Sequence, residues 1–201
     1  MLTAMDDDAE LTQRLRAGDE QAFVILVRRY HDPMLRLACS FVPSLAVAEE
    51  VVQDTWMGVL RGVSGFEGRS SFRTWLFRIL VNRARTAGAR ERRTVAVADT
   101  GPAVEASRFD SAGGWADPPE HWIDAVDDRL YAGKLADRIR SAIGDLPPRQ
   151  REVVTLRDVE GMSSSEVCLV LDISEGNQRV LLHRGRSKVR QVLETEFGRP
   201  R

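Results

Sequence analysis

The chain has 201 residues, 43% of them hydrophobic, with 29 Lys and Arg against 30 Asp and Glu and a formal net charge of −1. That suffices for one ordinary domain or two small ones with real cores, and no run approaches the roughly 18 apolar residues a membrane span needs. The acidic start Met5-Asp6-Asp7-Asp8 lacks the basic, then apolar order of a secretion signal, and Cys39 and Cys168, each set among apolar residues, are expected as core thiols of a cytoplasmic protein.

A first domain is expected over 11–93, all of it helical. Leu11 and Leu15, then Ala22, Phe23, Leu26, Val27 and Tyr30, then Met34, Leu35, Leu37, Ala38 and Phe41 recur near the helical period, and Asp19 is placed to cap the second helix. Pro43-Ser44 interrupts the pattern. Val47, Val51, Val52, Thr55, Trp56, Val59 and Leu60 resume it up to Gly62-Val63-Ser64-Gly65. A loop over 66–70 leads into a helix from about Ser71 through Arg90, with Phe72, Trp75, Leu76, Ile79 and Leu80 on one face and arginines on another.

From 94 to 129 the apolar period disappears amid Gly101-Pro102, Gly113-Gly114 and Pro118-Pro119, so this stretch is expected as a flexible linker. Trp115 and Trp122 within it suit either contact with a partner or a local hydrophobic staple. The near-neutral total charge hides an uneven division. Residues 69–93 carry eight arginines against Glu91, whereas 96–128 carry acidic residues such as Asp110, Asp117, Asp124 and Asp127 against Arg108.

The last domain is expected over 130–197. Leu146-Pro147-Pro148 opens a helix with proline in the first turn. Ser163 to Ser165 offer an N-cap for a short apolar helix containing Val167, Leu169, Val170 and Leu171, and Ser174 caps a second helix. From there to Arg190, five cations (Arg179, Arg184, Arg186, Lys188 and Arg190) face Glu175 alone. A short bracing helix, a tight turn and a basic helix make a helix-turn-helix, whose second helix enters the major groove while cations hold phosphates. The bland alternative is a packed helix pair with a solvated basic face. Against it, Leu182, Gly185, Val189 and Leu193 form a seam that leaves Arg179, Val180, His183 and Arg186 on other faces. The fold expected is therefore all-α: two small helical domains joined by an acidic linker, the second with a helix-turn-helix.

Three stretches, Ala48 to Trp56 (AEEVVQDTW), Phe72 to Asn82 (FRTWLFRILVN) and Ser174 to Arg184 (SEGNQRVLLHR), together resemble the sigma factors of bacterial RNA polymerase, in the extracytoplasmic-function group that keeps only the second and fourth sigma regions. The resemblance implies a transcription initiation factor with core polymerase, through its beta-prime clamp and beta flap, and promoter DNA as partners, and an anti-sigma factor that restrains it. It assigns Glu49, Glu50, Gln53, Asp54 and an exposed Trp56 to the polymerase surface. Phe66, Arg69, Ser70, Ser71, Asn82 and Arg83 fall where the family melts DNA and holds a flipped base of the minus-10 element, a task suited to stacking, phosphate pairing and amide contacts. Arg179, Val180 and His183 fall at the base-facing positions for the minus-35 element, with Ser174, Asn177, Arg184, Arg186 and Lys188 on phosphates. Gln178 stands where many relatives carry a buried valine, and Val180-Leu181 replace a common polar pair, so the promoter letters do not carry over. The linker resembles the segment that threads toward the polymerase active centre, while a plain solubilising tether explains its composition equally well.

The rival reading is a stand-alone helix-turn-helix regulator with a sensing or dimerising first domain. A sensor needs a pocket or phosphoacceptor, whereas this first domain offers an arginine-rich helix beside an aromatic loop. An enzyme is not expected, because no carboxylates cluster beside a His or Lys at acid-base spacing. His31, His121 and His183 lie far apart and without ligand-spaced neighbours, so neither a metal nor a cofactor is expected.

Overall fold

A computed structural model describes residues 4–92 and 129–197, and the acidic stretch expected as a linker, with Trp115 and Trp122, lies outside the described residues. Every element among the described residues is helical. The first unit holds α1 (Ala4–Arg16), α2 (Glu20–Ala38), α3 (Leu45–Gly62), a 3₁₀ turn (Val63–Gly65) and α4 (Phe72–Arg92). The second holds α5 (Arg129–Gly144), α6 (Pro148–Val154), a π turn (Thr155–Val159), α7 (Ser164–Leu171) and α8 (Glu175–Phe197).

Local chemistry sets most helix ends. The Asp19 carboxylate accepts the Gln21 and Ala22 amides at 2.8 and 3.2 Å, and the Ser44 hydroxyl accepts the Val47 amide at 3.3 Å. Leu26, Tyr30, Met34 and Leu37 on α2 then share a stripe that meets Val52, Thr55 and Val59 of α3 and Leu76, Phe77 and Leu80 of α4 in the core. Each such side chain contributes about 1.5–3 kcal/mol by leaving water. In the second unit Val153, Leu156, Met162, Val167, Val170 and Leu171 are buried, and they belong to the same continuous apolar cluster as the first unit's core.

The first helix begins at Ala4, ahead of the apolar pattern that starts at Leu11, and its acidic run is engaged: Asp7 and Asp8 accept hydrogen bonds from Arg29, and Asp8 also accepts from the Tyr30 hydroxyl. The cysteines are not core thiols. Cys39 is the exposed C-cap of α2, and Cys168 is half-buried on α7 between buried Val167 and exposed Leu169.

Candidate nucleic-acid interface

The helix-turn-helix starts with reciprocal capping at the head of α7. The Ser163 hydroxyl accepts the Glu166 amide at 3.3 Å, and a Glu166 carboxylate oxygen accepts the Ser163 amide at 2.9 Å, so two orphan donors are satisfied at once. Burial alone would raise the Glu166 carboxyl. Hydrogen bonds from Ser163 and Thr74, with Arg73 nearby, hold it below its ordinary value instead. Asp172 ends α7 in the left-handed region at φ 56° and ψ 56°, and the Ser174 hydroxyl accepts the Asn177 amide at 3.2 Å to start α8.

The rotation of α8 is fixed by two inward residues. Gln178 is 1% exposed. Gly185 passes so close to α6 that a Cβ there would lie 2.5 Å from Val154 Cγ2. With these facing in, Asn177, Arg179, Val180 and Arg184 face out on the first turns of α8, and the Arg179 side chain is 74% exposed with only a 3.4 Å contact to Glu175. His183 is half-buried, and burial followed by the Arg186 charge pushes its imidazole below the usual range, so it is neutral at neutral pH. Arg186 is forked around the Asp158 carboxylate at 2.9 and 2.6 Å, and this hydrogen bonding makes it hold its proton more firmly still. Lys188 is half-buried further along.

The aromatic loop makes a second feature. Phe66 packs on Trp75 with centroids 5.0 Å apart and meets Phe72 edge-on at 6.3 Å. A cleft of about 440 Å³ opens beside it, lined by Gly65, Phe66, Glu67, Arg69, Ser70, Thr74, Trp75, Arg78 and, from α7, Leu169. Three of the expected minus-10 residues therefore line one cleft. The others sit around it: Ser71 shares a 2.8 Å hydrogen bond with Thr74, Asn82 is exposed one turn beyond Arg78, and Arg83 turns away toward Asp54 of α3 at 3.9 Å. Gly58 makes room for that arginine, since a Cβ there would lie 2.7 Å from its Nη2.

On α3, Glu49, Glu50, Gln53 and Asp54 are all exposed. The expected exposed aromatic is not: Trp56 is 7% exposed and meets Phe23 edge-on at 5.6 Å. It points to the core because it follows Val52 by one turn, and Val52 is fully buried. Met57 and Leu60 stand exposed beside Gln53 instead, at the four- and seven-residue spacing that marks one helix face. Sequence reasoning missed both: Leu60 falls within the apolar pattern, and Met57 carries no signal of its own there. Among the described residues no group of three or more His, Cys, Asp or Glu could hold a metal ion, and no helix is long and apolar enough to cross a membrane.

Comparisons with known proteins cover both units. The Sigma-70 region 2 family model matches residues 26–94, and the Sigma-70, region 4 model matches residues 136–189. The chain is 31% identical over 182 residues to the ECF RNA polymerase sigma-E factor of Escherichia coli, covering 90% of this chain and 92% of that one. It is 28% identical over 194 residues to the RNA polymerase sigma-H factor of Pseudomonas aeruginosa, covering 96% and 97%. Among solved structures, CnrH in complex with the cytosolic domain of CnrY superposes with a TM-score of 0.60 at 25% identity over 94% of this chain and 98% of that one. The sigma factor RpoE of Bartonella quintana, solved with the anti-sigma factor NepR, shares the fold at a TM-score of 0.60 and 21% identity, over 87% and 98%.

Proposed function

The chain belongs to the extracytoplasmic-function group of the sigma-70 family, and from that premise we propose how its residues divide the work of promoter-specific transcription initiation. It is a transcription initiation factor that directs RNA polymerase to its promoters. The exposed polar face of α3, Glu49, Glu50, Gln53 and Asp54, with Met57 and Leu60 as its apolar part, takes the beta-prime clamp of core polymerase. Arg179 and Val180 read the minus-35 element: arginine binds guanine in a bidentate way, and valine meets a thymine methyl. Asn177, Arg184 and Lys188 position the helix on phosphates, and Arg186 joins them while braced by Asp158. The cleft at 66–71 holds an unstacked base of the minus-10 element against Phe66, with Arg69 and Ser70 at its wall and Asn82 as the amide that contacts the base edge. The second unit meets the beta flap, an anti-sigma factor restrains the chain, and its place of action is the cytoplasm.

The observation that carries this assignment is the rotation of α8, whose buried Gln178 and Gly185 turn Arg179 and Val180 outward on the turns that a helix-turn-helix presents to DNA. The test is transcription by core polymerase with and without the chain, with start sites mapped. Chain-dependent starts preceded by two common elements are expected. Within that assay Asn82→Ala should bind promoters in closed form but lower the permanganate reactivity of unpaired thymines. Normal opening by this variant would remove Asn82 from the site.

A further inference from the structure

Glu160 sits at the end of the π turn, on the surface of the second unit between exposed Val159 and exposed Gly161, yet its side chain is only 5% exposed. What covers it comes from the first unit. Arg36, in the last turn of α2, donates from Nε and Nη2 to one carboxylate oxygen at 3.0 and 2.9 Å. Arg73, in the first turn of α4, lies 3.8 Å from the other oxygen and also donates to the Glu160 backbone carbonyl. The same seam continues along α4 and α7. Glu166 accepts from the hydroxyls of Ser71 and Thr74 at 3.4 and 3.2 Å, and Arg85 donates to the Leu171 carbonyl at 2.7 Å. Arg151 reaches the Ser40 carbonyl at 3.0 Å.

A carboxylate so shielded from water is tolerable only while its cations are in place, so the contact stands or falls with Arg36 and Arg73. Its charged and hydrogen-bonding groups find water when the units part, so this polar rim, which closes over the apolar cluster that the units share, is the part of the contact a change of charge or salt can release. Its position matters for DNA. Leu169, carried on α7, forms part of the cleft wall, and Glu166 sets negative charge at the start of α4, beside the loop at 66–71. Arg73 and Arg85, two cations of the basic stretch 69–93, are occupied by the second unit. Phosphates approaching this face would meet a carboxylate and find these guanidinium groups already taken.

We propose that the free chain is self-latched: Glu160, gripped by Arg36 and Arg73, holds α7 against α4 and restricts the single-strand cleft until the two units separate. The proposal rests on the cleft assignment made above. A latch that leaves about a tenth of the molecules open weakens apparent strand binding about tenfold.

The test uses the full chain as wild type, Arg36→Ala, Glu160→Gln and the double variant, with an oligothymidine strand as probe and small-angle scattering for size, at low and high salt. Both single variants should be larger than wild type at low salt and bind oligothymidine about tenfold more tightly, the double variant should go no further than Glu160→Gln, and high salt should narrow the differences. Arg36→Ala removes a positive charge, so tighter binding by that variant opposes the simple electrostatic trend. Should Glu160→Gln lose helical content by circular dichroism, Arg36→Ala decides alone, since it leaves the second unit untouched. Unchanged size in both variants, or tighter binding by Glu160→Gln with weaker binding by Arg36→Ala, would overturn the latch. The family-level function fails by a different sign, the absence of chain-dependent transcription with core polymerase, and neither scattering nor oligothymidine binding involves polymerase.

Discussion

A methyl group at position 185 would lie 2.5 Å from Val154 Cγ2 and 3.5 Å from both the Gln150 Cβ and its backbone oxygen, so α8 and α6 approach as closely as a glycine permits. Alanine is the better helix former by about 1 kcal/mol, but forcing a methyl into a filled contact costs about 1–3 kcal/mol, and here the clashing atom is a methyl of Val154, whose branched side chain is stiff. Gly185→Ala should therefore lower the urea midpoint rather than raise it; a stabilised variant would show that α6 yields freely. The spacing of Leu182, Gly185, Val189 and Leu193 already put this glycine in a seam, while the residue it meets could not be read from spacing. Glu152 makes a residue-scale prediction of a different kind. Burial pushes its carboxyl up from the ordinary 4.5, although Arg149, Arg85 and Arg151 pull it down. Its folded value lies above its unfolded one, so its contribution is fully present when both states are protonated and is lost as pH rises through the raised value. Glu152→Gln should gain stability over wild type at neutral pH and lose that advantage in acid, in paired urea titrations. An advantage that instead grows in acid would mean the three arginines outweigh burial.

At the scale of the element, what is local in the sequence was legible and what depends on distant neighbours was not. Ser163 with Glu166, Asp19 and Ser174 identify their helix starts because a cap and its amides lie within three residues. The apolar spacing groups Trp56 with Val52 and Val59, while the resemblance assigns it to the surface, and only its partner Phe23 on another helix decides for burial; the same spacing makes exposed Leu60 look interior. In the sequence alone, the acidic start conveys only the lack of a secretion signal. Its purpose, α1 pinned by Asp7 and Asp8 to Arg29 and Tyr30, depends on packing across α2. The cleft was legible as a loop of suitable residue types, whereas its wall at Leu169 belongs to the other unit. For α8 the outward residues divide into two kinds, and the division is testable. Arg179→Ala should remove a base contact of about 1–3 kcal/mol and relax selectivity at one promoter position. Lys188→Ala should weaken all sequences alike. Selection from a randomised minus-35 library separates the two, and the same uniform loss from both variants would sink the division.

For the whole molecule, the interplay of a shared core and a polar seam sets how the chain unfolds. Val153, Leu156, Met162, Val167, Val170 and Leu171 of the second unit belong to one cluster with Phe77, Leu80 and the rest of the first unit's core. The contacts across the seam include Arg36 and Arg73 on Glu160, Arg85 on the Leu171 carbonyl and Arg151 on the Ser40 carbonyl. Each such hydrogen bond contributes on the order of 1 kcal/mol, more where a charge is shared, so together they amount to a few kcal/mol of coupling between units. That is comparable with the whole stability of a small domain. Losing one unit therefore strips partners from the other while it is still folded, and the two should melt together. Calorimetry at low salt should give a single transition whose calorimetric and van't Hoff enthalpies agree. Neutralising Glu160 as Glu160→Gln removes the charge on which two of these contacts converge, and the transition should then broaden or divide in two, with high salt acting in the same direction through the exposed Arg36. If wild type already melts in two well-separated steps at low salt, the seam is too weak to couple the units and cannot hold the chain closed.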